Sequence, residues 1–459
     1  MKKPATSDLN PDILEPALKD LLRLAKNHGA ESAEAVGSYG RSLSIGVRGG
    51  VLEDIDNSEG KDIGLRVFVG QRQACVSSSD LSKDSLDKLA ERCVAMAKLA
   101  PKDIYCGLAD RDTLAKSRPE LDIYDKTDLD ADTLLARAQE LEAAALSVKG
   151  VNQAEGANAY CVKGATYLMT SDGVSDGGFS NGWKSSSHGL SVAAFASDGE
   201  NMERDYDYKS TRWLEDLQTP ESIGIKAGNR AVARLGAKQM ASGNLPVLFE
   251  RRVANSLLSS FTNAISGSAI ARGVSFLKDS MDTQVFHKNI TITDDPYIIR
   301  ASGSHPWDGE GVAGKALTLI ENGVLKTWML NSAAARQLGL ATTGHAHRGM
   351  SSPPGIACSN VWMEAGAQTP DALMKDMGNG LFITEMFGPS LNANTGDYSV
   401  GIAGFAIENG ERTYPVSEVT IAGNLLDMFK TIIPADDLIM DNPVTCPSLL
   451  VESMVVAGA

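Results

Sequence analysis

The hydrophobic period of this chain changes character at definite places, and that change limits the folds open to it. Residues 11–29 carry Leu14, Leu18, Leu21, Leu22 and Leu24 at helical spacing, and Gly29 follows as a stop. Short apolar or alternating runs come next, at 34–36, 43–47, 51–55 and 64–69, and they predict strands. Gly49-Gly50 predicts a hairpin between the second and third. Residues 82–100 return to a helical period through Leu86, Leu89, Val94 and Ala97. The same order then repeats, with a helix over 131–147 and strands near 154–160, 165–170 and 189–196. Thr219-Pro220 opens another helix, with proline at its first position, running to about 236. From about 244 onward strands and Gly-rich turns dominate, and Asn322-Gly323 and Asn409-Gly410 supply two hairpin turns. The expected fold class is α+β: N-terminal helix-and-meander units followed by a mostly β C-terminal domain. The expected units are 1–125, 126–235 and 236–459.

A chain of 459 residues is too long for one compact core. Lys+Arg 43 against Asp+Glu 58 leaves a net charge of −15. That charge argues against a broad nucleic-acid or anionic-membrane surface, since both require basic patches. Met1-Lys2-Lys3 is basic, but no apolar run follows it as a secretion signal would require. No window approaches the roughly 18 apolar residues of a membrane span. Six scattered cysteines without a CxxC predict reduced thiols, and the expected location is cytoplasmic.

Several short motifs match familiar patterns by letter. Gly173-Val174-Ser175-Asp176-Gly177 matches the nucleophile elbow, but Gly178-Phe179-Ser180-Asn181-Gly182 cannot open the helix that motif needs. Residues 309–314 match G-x-G-x-x-G, yet loop precedes them and a strand follows, so a flexible loop beside a cleft is expected instead of a dinucleotide site. His345-Ala346-His347 places two imidazoles on one face of an extended segment, with no third ligand nearby in sequence. Val253, Leu257, Leu258, Phe261 and Ile265 give one buried helical stripe. Ser259, Ser260 and Asn263 leave small polar positions elsewhere on that helix.

Larger segments carry a family resemblance. They include Asn201-Met202-Glu203-Arg204-Asp205-Tyr206, Thr343-Gly344-His345-Ala346 and Thr395-Gly396-Asp397-Tyr398-Ser399. Tyr414 through Leu425 adds another. Together they resemble the PmbA (TldE) branch of the TldD/PmbA metalloprotease family, in the same order over nearly the whole chain. The resemblance implies a subunit of a metallopeptidase acting on unstructured peptides. In the TldD branch a helix carries His-Glu-x-x-x-His, and a C-terminal cysteine is the third metal ligand. Against that pattern Ser259, Ser260 and Ala264 stand at the helix positions and Cys446 at the cysteine. One cysteine cannot build a catalytic zinc site, which takes about three protein ligands and an open position. The resemblance therefore implies no metal in this chain, zinc in a TldD-type partner, and a heterodimer or homodimer enclosing the peptide. Gly396, Asp397, Tyr398 and Ser399 are candidate contacts to that peptide. A non-hydrolytic homodimeric peptide- or protein-binding module is the alternative, and a hydrolase using Ser175 or the His345/His347 pair is a third possibility.

Overall fold

The computed structural model describes residues 9–173, 177–199 and 201–459. Its elements are mixed helix and sheet, an α+β architecture. Helix α1 (Glu15–Asn27) buries Leu18, Leu21, Leu22 and Ala25, the stripe expected from spacing. The four short strands expected next are two long ones, β1 (Ser32–Arg48) and β2 (Val51–Phe68). Only their apolar ends were visible as runs. The middle of the hairpin is polar and Gly-containing, yet the ladder continues through Gly40 opposite Gly60. Main-chain pairing asks nothing of side-chain polarity where both faces are solvated.

Strand β3 (Gln73–Ser78) and helix α2 (Lys83–Leu99) complete the first unit. Helix α3 (Ala131–Leu146) leads into β4 (Val151–Thr170), β5 (Ser180–Ser197) and β6 (Met202–Thr211). The two units expected separately share one sheet, in the order β3-β2-β1-β4-β5-β6. β1 pairs with β4 from Glu34 opposite Thr170 to Val47 opposite Ala157. A pairing across more than a hundred residues leaves no local sequence signal. Helices α1 and α2 cover one end of this sheet, where Leu18, Leu21, Leu89 and Cys93 meet Leu65 and Val67. Helix α3 and helix α4 (Pro220–Ala233) cover the other end, where Leu141 and Ile223 meet Ile45 and Leu190.

The C-terminal domain begins with β7 (Gly243–Phe249), which passes directly into helix α5 (Arg251–Ala264). β7 sits inside a second six-stranded sheet, between Gly380–Leu391 and Leu449–Ala457. Helix α5 buries Val253, Leu257, Leu258 and Phe261 beneath it. The Phe261 ring lies 5.1 Å from Phe286, which stacks on Phe429 at 4.3 Å. Both expected Asn-Gly turns form, with φ of 50° and 80° at Asn322 and Gly323 and 54° and 82° at Asn409 and Gly410. Positive φ at both central residues is what a two-residue hairpin turn demands. Among the described residues no helix is long and apolar enough to cross a membrane.

The two halves touch closely at Gly64 of β2, where an added Cβ would collide with the Met350 carbonyl. Gly64→Ala is expected to cost about 1–3 kcal/mol, since backbone must move on both sides. Thermal melting checks this; an unchanged melting temperature would mean the two halves are not held in this contact.

Candidate functional site

Helix α5 follows a buried strand with no loop between them, so its first turn is fixed against the sheet. Glu250 caps it, accepting a hydrogen bond from the Arg252 N–H at 3.3 Å. One turn in, the Asn255 side chain meets Cys446. The Cys446 N–H donates to Asn255 Oδ1 at 2.9 Å, and the thiol lies 3.5 Å from the same oxygen. Cys446 is fully buried, and burial pushes its thiol well above the ordinary range. The sulfur is therefore a neutral thiol at physiological pH, not the thiolate that binds metal.

Beside this contact is a small cavity of about 80 Å³, lined by Lys209, Arg251, Arg252, Asn255 and Asp441 among others. Asp441 receives the Arg251 guanidinium at 3.1 Å and the Lys209 ammonium at 2.8 Å. Burial alone would raise the Asp441 carboxyl, but these two cations hold it below its ordinary value. Next to it, Arg252 pairs with Glu250 at 2.9 Å and Asp205 at 3.1 Å. Helix α4 contributes Arg230, 2.9 Å from Asp207, and Arg234 just past its end pairs with Glu385. These arginines border a larger cleft of about 710 Å³ between α4 and the C-terminal sheet, which also holds Thr384, Phe405, Arg412 and Ser448.

Among the described residues no three His, Cys, Asp or Glu side chains are placed to hold a metal ion. The groups around Cys446 do not fit one. The Asn255 amide is a poor donor, and the cavity's two carboxylates, Asp441 and Asp207, are already paired with Arg251, Lys209 and Arg230, cations that repel a dication.

The residues singled out from sequence are distributed as follows. The Ser259 hydroxyl donates to the Asn255 carbonyl and the Ser260 hydroxyl to the Ser256 carbonyl, each at 2.9 Å. Both are satisfied within their own helix. Ala264 is buried in the core, and Cys446 meets α5 a turn before Ser259. Gly396 occupies a positive-φ turn and donates to the Asn392 carbonyl. Asp397 is exposed, and the Thr395 hydroxyl and Asn424 amide hold its carboxyl below the ordinary range. Ser399 is half-buried. Tyr398 points inward, 4% exposed, so its ring belongs to the core instead of to a peptide-facing surface.

His345 and His347 do not act as a pair. His345 is buried, with Nε2 3.2 Å from Asp294 and Nδ1 at the Thr343 carbonyl, while His347 is exposed. The loop at 309–314 is pinned rather than flexible. Its backbone N–H groups at Glu310 and Val312 donate to Asp308, and Ala313 donates to the Thr113 carbonyl. Ser175 lies outside the described residues. Sequence reasoning missed Asn255, Arg251 and Asp441. The i, i+4 spacing of Lys226 and Arg230 on α4 and Arg234 at its C-terminal cap was a signal that could have found the charged cleft.

Known proteins match this chain along almost its whole length. Residues 33–97, 124–235 and 242–458 match, in order, domain 1, the central domain and the C-terminal domain of the PmbA/TldA metallopeptidases. The chain is 35% identical over 450 residues to Metalloprotease PmbA of Escherichia coli O157:H7, covering 97% of this chain and 96% of that one. A crystal structure of a proposed DNA gyrase modulator from Bacteroides thetaiotaomicron superposes with a TM-score of 0.88 at 26% identity, over 98% of this chain and 99% of that one. TldE from Thermococcus kodakarensis shares the fold, with a TM-score of 0.81 at 18% identity over 96% and 100%. With all three domains matched in order and a third of its residues identical to a relative over almost its full length, the chain belongs to the PmbA/TldD metallopeptidase family.

Proposed function

We propose that this chain is the PmbA/TldE-type subunit of a cytoplasmic metallopeptidase that processes unstructured peptides. A TldD-type chain supplies the zinc, and this chain holds none. The observation that carries the reading is the environment of Cys446. The helix residue facing it is an asparagine, and the adjoining cavity is lined by the Arg251–Asp441–Lys209 cluster. The His-Glu-x-x-x-His spacing supports the same reading. If Asn255 stands at the second histidine, counting back five places Glu250 at the first and Arg251 at the glutamate. None of the three is a histidine, and the base position carries a cation, so neither metal binding nor water activation is supported there.

The test is reconstitution. The purified chain is expected to carry far less than one zinc and to leave casein and short unstructured peptides intact. Added to a TldD-type chain, it is expected to join a complex that cleaves them and loses activity to a chelator. The contact should be of obligate character, on the order of 2,000 Å² or more. Chelator-sensitive hydrolysis by this chain alone would overturn the proposal. So would a stable homodimer that binds peptides and never joins a TldD-type chain, the behaviour of a non-hydrolytic binding module.

A further inference from the structure

A further cavity, of about 520 Å³, is lined by residues of both the N-terminal sheet and the C-terminal domain. Its lining shares no residue with the cavity beside Cys446 or the cleft along α4. The size suits a small organic ligand. One wall is apolar: Val36 of β1, Leu168 of β4, Trp183 of β5, Trp307 and Met350. Trp307 is buried and set edge-on to Phe179, with ring centroids 5.1 Å apart, so this wall is rigid.

The lining also carries polar groups with unused hydrogen-bonding capacity, Arg212 and His305 among them. Arg212 is half-buried and donates only to main-chain carbonyls, those of Ser186 at 3.2 Å, Ala301 at 3.5 Å and Ser302. Among the described residues no carboxylate pairs with it, unlike Arg230, Arg234 and Arg252. Burial holds its pKa below the ordinary value, and no neighbouring anion offsets that. A guanidinium has five N–H donors, so some remain. His305 has Nδ1 2.9 Å from the Gly303 carbonyl, which obliges that nitrogen to carry the hydrogen. Burial lowers the His305 pKa, so at neutral pH the ring is uncharged and Nε2 is a free acceptor. Other ionisable side chains line the pocket too: burial pushes Cys358 up to about 12 and raises Asp308 toward its neutral form, and Arg348 is paired with Glu34.

A bare carboxylate would satisfy Arg212 and leave His305 unused. A free amino acid would bring an ammonium toward the guanidinium. The last residue of a peptide meets each requirement: its carboxylate faces Arg212, its amide N–H donates to His305 Nε2, and a large apolar side chain covers Trp183 and Trp307. The geometry points to a pocket for the C-terminal residue of a peptide, or an equivalent N-acyl amino acid, with a large apolar side chain. The inference rests on the peptide-processing reading above for the source of such a ligand.

Binding is measured on the full chain alone by tryptophan fluorescence and calorimetry. The probes are a six-residue Gly/Ser peptide ending in phenylalanine, its C-terminal amide, and N-acetylphenylalanine. The free-acid peptide is expected to bind about 10- to 100-fold more tightly than the amide, the range of one charge-assisted hydrogen bond to a half-buried cation. Binding of N-acetylphenylalanine supports the pocket and identifies a single acylated residue as sufficient. Arg212→Gln is expected to abolish the preference for acid over amide. Trp183→Ala, which leaves Arg212 in place, is expected to weaken both ligands and keep their ratio. Equal binding of acid and amide by the unaltered chain, or no binding of either, overturns the inference. Because no metal, partner or hydrolysis enters this measurement, its failure is separate from failure of the reconstitution.

Discussion

Replacing Glu34 with glutamine is expected to destabilise the chain by about 3–5 kcal/mol, the usual cost of leaving a buried ion pair without one partner. Glu34 lies directly across β1 and β2 from Arg66, with 2.8 Å between the charged groups. Arg348 of the C-terminal half pairs with the same carboxylate, and Glu310 reaches Arg66 at 3.8 Å. All four side chains are 4% exposed or less. Burial alone would raise the Glu34 carboxyl, but Arg348 and Arg66 together hold it below its ordinary value of 4.5. A lowered carboxylate contributes stability that is present above 4.5 and lost as pH falls through the folded value. Glu310 has the opposite sign. Burial and the nearby Glu34 raise it, so its contribution is present at low pH and fades as pH rises through its raised value.

Calorimetry from pH 7 downward checks both parts. The unaltered chain should lose stability steeply below about 4.5, and Glu34→Gln should lose less there because its penalty is already present. Adding Arg348→Met to Glu34→Gln should recover part of the loss, since it removes one of the two stranded cations. A penalty under about 1 kcal/mol would mean the cluster is hydrated and that the two halves separate more readily than this packing allows.

How much of this could be read from sequence depended on the range of the interaction. Helix α1 was legible because Leu14, Leu18, Leu21 and Leu22 sit within a few turns of one another. The merging of four apolar runs into β1 and β2 was not, because a ladder through Gly40 and Gly60 is held by backbone pairing alone. The Glu34–Arg66–Arg348 cluster joins a pair on neighbouring strands to an arginine nearly three hundred positions further on, and each looks like ordinary surface charge in isolation. The family resemblance makes Tyr398 a candidate peptide contact together with Gly396, Asp397 and Ser399. Strand alternation turns it inward while Asp397 and Ser399 face the other way. The most consequential gap concerns α5. Sequence gives the helix and its buried stripe, but which residue faces Cys446 depends on how the C-terminal segment 444–446 docks against it.

That docking leads to the second large expected effect. Installing Glu250→His, Arg251→Glu and Asn255→His is expected to create zinc binding of roughly one ion per chain, through the two imidazoles and Cys446. The substitutions also remove Arg251, one of the two cations on Asp441, and metal binding would deprotonate the thiol that burial keeps neutral. Placing the same three residues at Ser259, Ser260 and Ala264 is expected to fail. Ala264 is buried in the core, where a histidine overfills the site, and the contact that brings Cys446 to α5 is made at Asn255. Adding Cys446→Ser to the first triple variant should abolish stoichiometric zinc while leaving the fold intact by circular dichroism. Loss of the Glu250 cap and of its pair with Arg252 will cost about 1 kcal/mol or more, so uptake must be read on chain shown to be folded. Zinc bound equally well with Cys446→Ser, or bound by the Ser259/Ser260/Ala264 variant instead, would place the counterpart of the TldD-branch metal helix in another register and undo the one argued here.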